Sequence, residues 1–147
     1  TTTAIQSDSR PVYWLIENRT SFERQARLNR DKVVIWMPGR PTLTWLQAMH
    51  HLLDLAPGEG LLSADLDPSG LAIVMTAWQP WRERQLPWQM HEMSVSHLQV
   101  ARQWPLGPHD LQLIHQHLAS PDTPADVRAL AQAMLETGRK AEQEGWI

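Results

Sequence analysis

The chain has 147 residues, a net charge of −3, no cysteine, 42% hydrophobic and 20% charged residues. That length suits one domain with a buried core, and the lack of cysteine excludes disulfides and thiolate metal sites. The acidic balance excludes a protein that coats nucleic acid with a generally basic surface, but not a metal-dependent enzyme acting on phosphodiesters, where a cation offsets an acidic site.

Residues 1–11 are polar and read as a flexible lead-in, and the start Thr1-Thr2-Thr3, without methionine, reads as a piece of a longer protein. Residues 12–147 read as one domain, with a core over 12–93 and a helical C-terminal part over 94–147. No apolar run is long enough to span a bilayer, and the absence of cysteine fits a cytoplasmic location. Eight tryptophans stand against one phenylalanine and one tyrosine; they read chiefly as core or interface residues, with base stacking as the minority reading.

Val12-Tyr13-Trp14-Leu15-Ile16 is a continuous apolar run of strand formers, the pattern of a strand covered on both faces. Glu17-Asn18 ends it. Thr20 and Glu23 have capping-box spacing, so a helix is expected from Ser21 to about Asn29. Val33 to Met37 repeats the buried-strand pattern and closes at Pro38-Gly39-Arg40. Leu43, Leu46, Met49 and Leu53 then give a helical stripe from about Thr42 to Leu55. After Pro57-Gly58-Glu59-Gly60, a third strand over Leu61–Ala64 meets the acidic turn Asp65-Leu66-Asp67-Pro68-Ser69-Gly70, and a helix from about Ser69 to Trp78 follows. Three strand–helix units in succession predict a parallel sheet with helices on its faces.

The second half carries weaker signals. Trp88 to Met93 reads as a fourth strand and Leu98 to Trp104 is ambiguous. Helices are expected near Asp110–Leu118 and from Thr123-Pro124, with Thr123 as the capping hydroxyl, Pro124 opening the helix and Gly145 ending it.

Side chains alternate along extended chain, so Asp65 and Asp67 can converge on one point. Two carboxylates that close repel unless a proton or cation lies between them, and an oxygen-rich site suits Mg²⁺ or Mn²⁺. In a parallel sheet the strand ends share one edge, the usual place for sites in open α/β folds, which gathers Glu17, Arg40, Asp65 and Asp67. Arg24, Arg27 and Arg30 partly share a helix face; contact with a DNA backbone competes there with a plain solvated surface. Arg40, at a strand end, is better placed for a phosphate. Lys32 and Lys140 belong to no motif. His50-His51 and His115/His117 lack the spacing of a helical zinc pair, and no Ser–His–Asp set or phosphate-cradling glycine loop is visible.

With one glutamate after the first strand and Asp65-Leu66-Asp67-Pro68-Ser69-Gly70 after the third, the chain resembles a Toprim domain, the fold of DnaG-type primases, topoisomerases and several nucleases. The Asp-x-Asp-Pro-x-Gly form is similar to the type IIB topoisomerase A subunit. Glu17-Asn18-Arg19-Thr20-Ser21-Phe22 and Glu142-Gln143-Glu144 resemble two elements of the C-terminal Toprim region of JetD-like nucleases from Wadjet plasmid-defence systems. The likeness spans residues 12–80 well and the rest loosely; Asn18 stands where many Toprim domains carry glycine. The resemblance implies an Mg²⁺- or Mn²⁺-dependent DNA endonuclease domain working with other subunits of a defence or DNA-processing complex. Asp65, Asp67 and Glu17 would be catalytic and metal-holding, with Glu142 and Glu144 as outlying ligands. The alternative is a module of the same fold that binds DNA or a partner protein without catalysis. A complete topoisomerase is not expected, since the only tyrosine, Tyr13, lies inside the first predicted strand.

Overall fold

The computed structural model describes residues 10–142 and 147. Four parallel strands form the central sheet: β1 (Val12–Ile16), β2 (Val33–Trp36), β3 (Glu59–Ser63) and β4 (Trp88–Met90), in the order β2-β1-β3-β4. Helices flank the sheet and dominate the C-terminal part, the arrangement of a Rossmann-like α/β fold.

The alternation along β1 explains both faces. Tyr13 and Leu15 join the main core, whereas Trp14 and Ile16 pack with Leu61, Ile147 and Phe22 on the opposite face. Phe22 belongs to α1 (Arg19–Leu28). The main core is closed by α2 (Leu43–Leu55), α3 (Pro68–Ala77) and the short α4 (Gln79–Glu83), which buries Trp81 completely. After β4 come α5 (Val95–Val100), β5 (Gln103–Pro105), α6 (Pro108–Ala119), α7 (Ala125–Thr137) and β6 (Arg139–Ala141). Strands β5 and β6 pair antiparallel as a separate ribbon.

Several local expectations are corrected. Strand β2 is not covered on both faces: it lies at the sheet edge, with Val33 46% and Trp36 40% exposed. Helix α1 is capped by Asn18, whose side chain accepts from the Ser21 N–H at 2.9 Å, and not by Thr20. Asparagine is at least as good a cap as threonine, and Glu23 pairs instead with Arg19 at 3.2 Å. The stripe on α2 is narrower than its spacing implied, because Leu43 is 71% exposed while Met49 and Leu53 are buried. Strand β4 stops at Met90, close to Glu92, whose φ of +55° bends the chain.

At the end of α6, buried Thr123 donates to the His117 carbonyl at 2.6 Å, satisfying an orphan acceptor there rather than capping α7. Helix α7 ends at Gly138 in the left-handed conformation (φ 68°), and the segment expected to continue the helix towards Gly145 turns back as β6. Glycine is favoured at such a terminus because it has no Cβ to strain.

Candidate functional site

The strand order explains where the site lies. From β1 the chain moves to one side to form β2, then returns across β1 to form β3, so the C-terminal ends of β1 and β3 flank a topological switch point. The two strands pair in register from Val12↔Glu59 to Ile16↔Ser63, and pairing continues one step as the Glu17 N–H donates to the Ser63 carbonyl at 2.9 Å. Glu17 is thereby fixed beside the acidic turn. Its Oε2 accepts from the Asp65 N–H at 3.2 Å. Above it, the Trp36 indole donates to the Glu17 carbonyl at 3.0 Å.

In the turn, Leu66 is fully buried between Asp65 and Asp67, which remain partly open to solvent. The Asp67 Oδ1 accepts from the Gly70 N–H at 2.6 Å and caps α3, with Pro68 in the first turn. Gly70 is required by proximity: a Cβ there would stand 2.0 Å from the Asp65 carbonyl oxygen. From the far side, the Leu66 carbonyl accepts the Ala141 N–H at 2.8 Å, which ties the β5–β6 ribbon to the turn. Buried His117 donates to the Pro68 carbonyl at 3.1 Å. Hydrogen bonds from three distant parts of the chain, at Glu17, His117 and Ala141, thus hold the main chain of the turn.

The electrostatics follow from this crowding. Burial first, then the charges of Asp65 and Asp67, push the Glu17 carboxyl up to about 7 against the opposing Asp65 amide. Burial and the Asp65 and Asp110 charges lift the Asp67 carboxyl to about 6, although the Gly70 N–H and the Lys140 ammonium pull the other way. Carboxyls of this kind, proton-hungry near neutrality, suit proton transfer or exchange of the proton for a cation.

The donor set is all oxygen, as hard divalent cations prefer. Among the described residues no group of three or more His, Asp, Glu or Cys side chains is gathered as a ready-made metal cage, and Glu17 and Asp67 each spend one oxygen on a main-chain amide. The oxygens of Glu17, Asp65 and Asp67 are of the kind that could supply part of a Mg²⁺ shell, the rest coming from water and substrate.

The remaining residues singled out from sequence are scattered. Glu142 is exposed and lines the cavity that Asp67 opens into, while Glu144 lies outside the described residues. Arg40 is exposed beside Ser69 of α3, on a separate cavity of about 500 Å³. Arg24 donates to the Ile147 carbonyl; Arg27 is exposed on α1, and Arg30 lies beyond its end.

Three residues without a sequence role come to the site. Lys140 reaches Asp110 at 2.8 Å and acts on the Asp67 charge, and Trp104 lines the same cavity. Asp110, three residues after Gly107, had a detectable signal as a helix-start acid, and its carboxylate accepts the Gly107 N–H at 2.8 Å. Lys140 had none. No family model matches this chain, and no curated protein matches it.

Proposed function

We propose that this chain is a Toprim-type, Mg²⁺-dependent DNA endonuclease domain that cleaves phosphodiester bonds at the acidic edge of its sheet. One observation carries the reading: Glu17, from a distant part of the sequence, is hydrogen-bonded to the Asp65-Leu66-Asp67 turn at the switch point, with Glu17 and Asp67 titrating near neutrality. A divalent cation bound there supplies Lewis-acid polarisation of the phosphate and stabilisation of the leaving oxygen. Asp65 and Asp67 would hold it. Glu17, with a proton affinity matched to neutral pH, is suited to take a proton from the attacking water or return one to the leaving oxygen. Support comes also from the hydrogen bonds by which the ribbon and the start of α3 hold the turn that carries Asp65 and Asp67.

Supercoiled plasmid incubated with the chain and Mn²⁺ or Mg²⁺ is expected to be nicked, with nicking lost in Asp67→Asn. Asparagine can still accept the Gly70 N–H, so that loss reports charge rather than folding. A wild-type chain, alone and with its partner subunits, that never cleaves DNA with either metal defeats the proposal.

A second reading, a non-catalytic module of the same fold that binds DNA or a partner protein, is favoured by the lack of a preformed three-ligand group among the described residues. Calorimetry separates the two: DNA binding without any Mg²⁺ or Mn²⁺ affinity belongs to the second.

A further inference from the structure

The β5–β6 ribbon does more than brace the acidic turn. Trp104 and Lys140 are directly opposite each other in its register, so their side chains share one face. Together with Asp67, Pro105, Ala141 and Glu142 they line a cavity of about 400 Å³, within the usual size range of small-molecule sites. The cavity is chemically divided. Its lining sets the Trp104 indole beside the ammonium of Lys140 and the carboxylates of Asp67 and Glu142.

Lys140 is held in place: its Nζ lies 2.8 Å from Asp110 Oδ2, and the Asp110 side chain is largely buried. Burial alone would raise the Asp110 carboxyl, but hydrogen bonds from Lys140 and the Gly107 amide hold it below its ordinary range. Asp110 is thus an anionic anchor for Lys140. An ammonium has three N–H donors, and one serves Asp110. Arg102 stacks its guanidinium 5.2 Å from the Trp104 ring centroid, adding positive charge at the aromatic wall. A cation beside a flat indole matches a nucleotide, which joins an anionic phosphate to a planar base.

We propose that this cavity is a nucleotide subsite in which Lys140 takes the phosphate next to the scissile bond and Trp104 stacks one unpaired base. Because a base inside a duplex has both faces covered, the DNA engaged here is single-stranded or locally opened. The inference rests on the nuclease reading for its scissile bond, but its binding test does not.

Fluorescence anisotropy with an end-labelled oligothymidylate and a blunt hairpin duplex, both in Ca²⁺, tests it. The single strand is expected to bind more tightly than the hairpin. Trp104→Ala should weaken it about tenfold or more, and Trp104→Phe should restore most of the affinity. Lys140→Gln should lower the slope of log affinity against log salt by about 0.7. Should Trp104→Ala unfold the chain, the indole ¹⁵N–¹H signal of Trp104 in the wild type gives the same answer, shifting when oligothymidylate is added. Equal affinity of wild type and folded Trp104→Ala for the single strand, or a Trp104 signal that stays put at saturation, overturns the subsite. Trp104-dependent binding without metal-dependent cleavage, by the chain alone or with its partner subunits, supports the subsite and removes the nuclease reading; cleavage with Trp104-independent binding does the reverse.

Discussion

Replacing Glu17 by glutamine separates the cost of the acidic site from its use. The amide oxygen of glutamine can still accept the Asp65 N–H that Glu17 now accepts at 3.2 Å, so the change removes charge and keeps the contact. The native carboxyl is raised from 4.5 to about 7. It binds its proton more tightly folded than unfolded, so its contribution to stability is complete below about 4.5 and is lost as pH rises through about 7. At about 1.4 kcal/mol per pH unit, reduced for the part that solvent screens, ionised Glu17 costs the metal-free fold roughly 2–3 kcal/mol at pH 8. Glu17→Gln should therefore be the more stable protein at pH 8 in chelator, by about 1 M or more in urea midpoint, and should match wild type near pH 4. Added Mn²⁺ should then stabilise wild type more than the variant, since only ligand bound to the native state shifts the equilibrium. Urea titrations at a series of pH values, with and without metal, supply the data. A variant no more stable than wild type at pH 8, or a wild-type midpoint that is flat from pH 5 to 8, refutes the electrostatic account of the site.

Two further substitutions probe the framework. Gly70→Ala would place a methyl group 2.0 Å from the Asp65 carbonyl oxygen, so either the turn or the start of α3 must move. A loss of about 2 kcal/mol or more is expected, with weakened metal affinity in whatever protein still folds; a thermal melt within a degree of wild type contradicts the close packing. Ser63→Ala removes the hydroxyl that accepts the buried Trp14 indole N–H at 2.8 Å and donates to the His91 carbonyl. Leaving those groups unpaired should cost about 1–3 kcal/mol in chemical denaturation, and Ser63→Thr should recover part of it if the pocket admits the methyl.

Patterns confined to neighbouring residues are legible in the chain itself. Val12–Ile16 carries its own strand signal, a covered apolar run ended by Glu17-Asn18, and the strand has those bounds. The helical stripe expected from about Thr42 begins there, and Thr42 caps α2 by accepting the Trp45 N–H at 3.1 Å. Where two caps lie close together, as at Asn18 and Thr20, local chemistry offers two starts and the packing of Phe22 against the sheet accompanies the earlier one. The ribbon is hidden for a different reason. Its strands are three residues each, one ends in proline and the other follows a helix directly, so neither shows the alternation by which a strand is recognised.

The candidate site divides along the same line. The sequence alone determined that three strand–helix units would align and that Glu17, Asp65 and Asp67 would stand at strand ends, because period, capping and turn chemistry act over a few residues. Only the tertiary structure decided the order β2-β1-β3-β4, which sets Glu17 beside Asp65 at a switch point. It alone brought Lys140, Asp110 and Trp104 to Asp67. Those meetings depend on how a ribbon and a helix pack against a turn far away in the chain, and the energies that select them are sums over many contacts rather than properties of any short stretch.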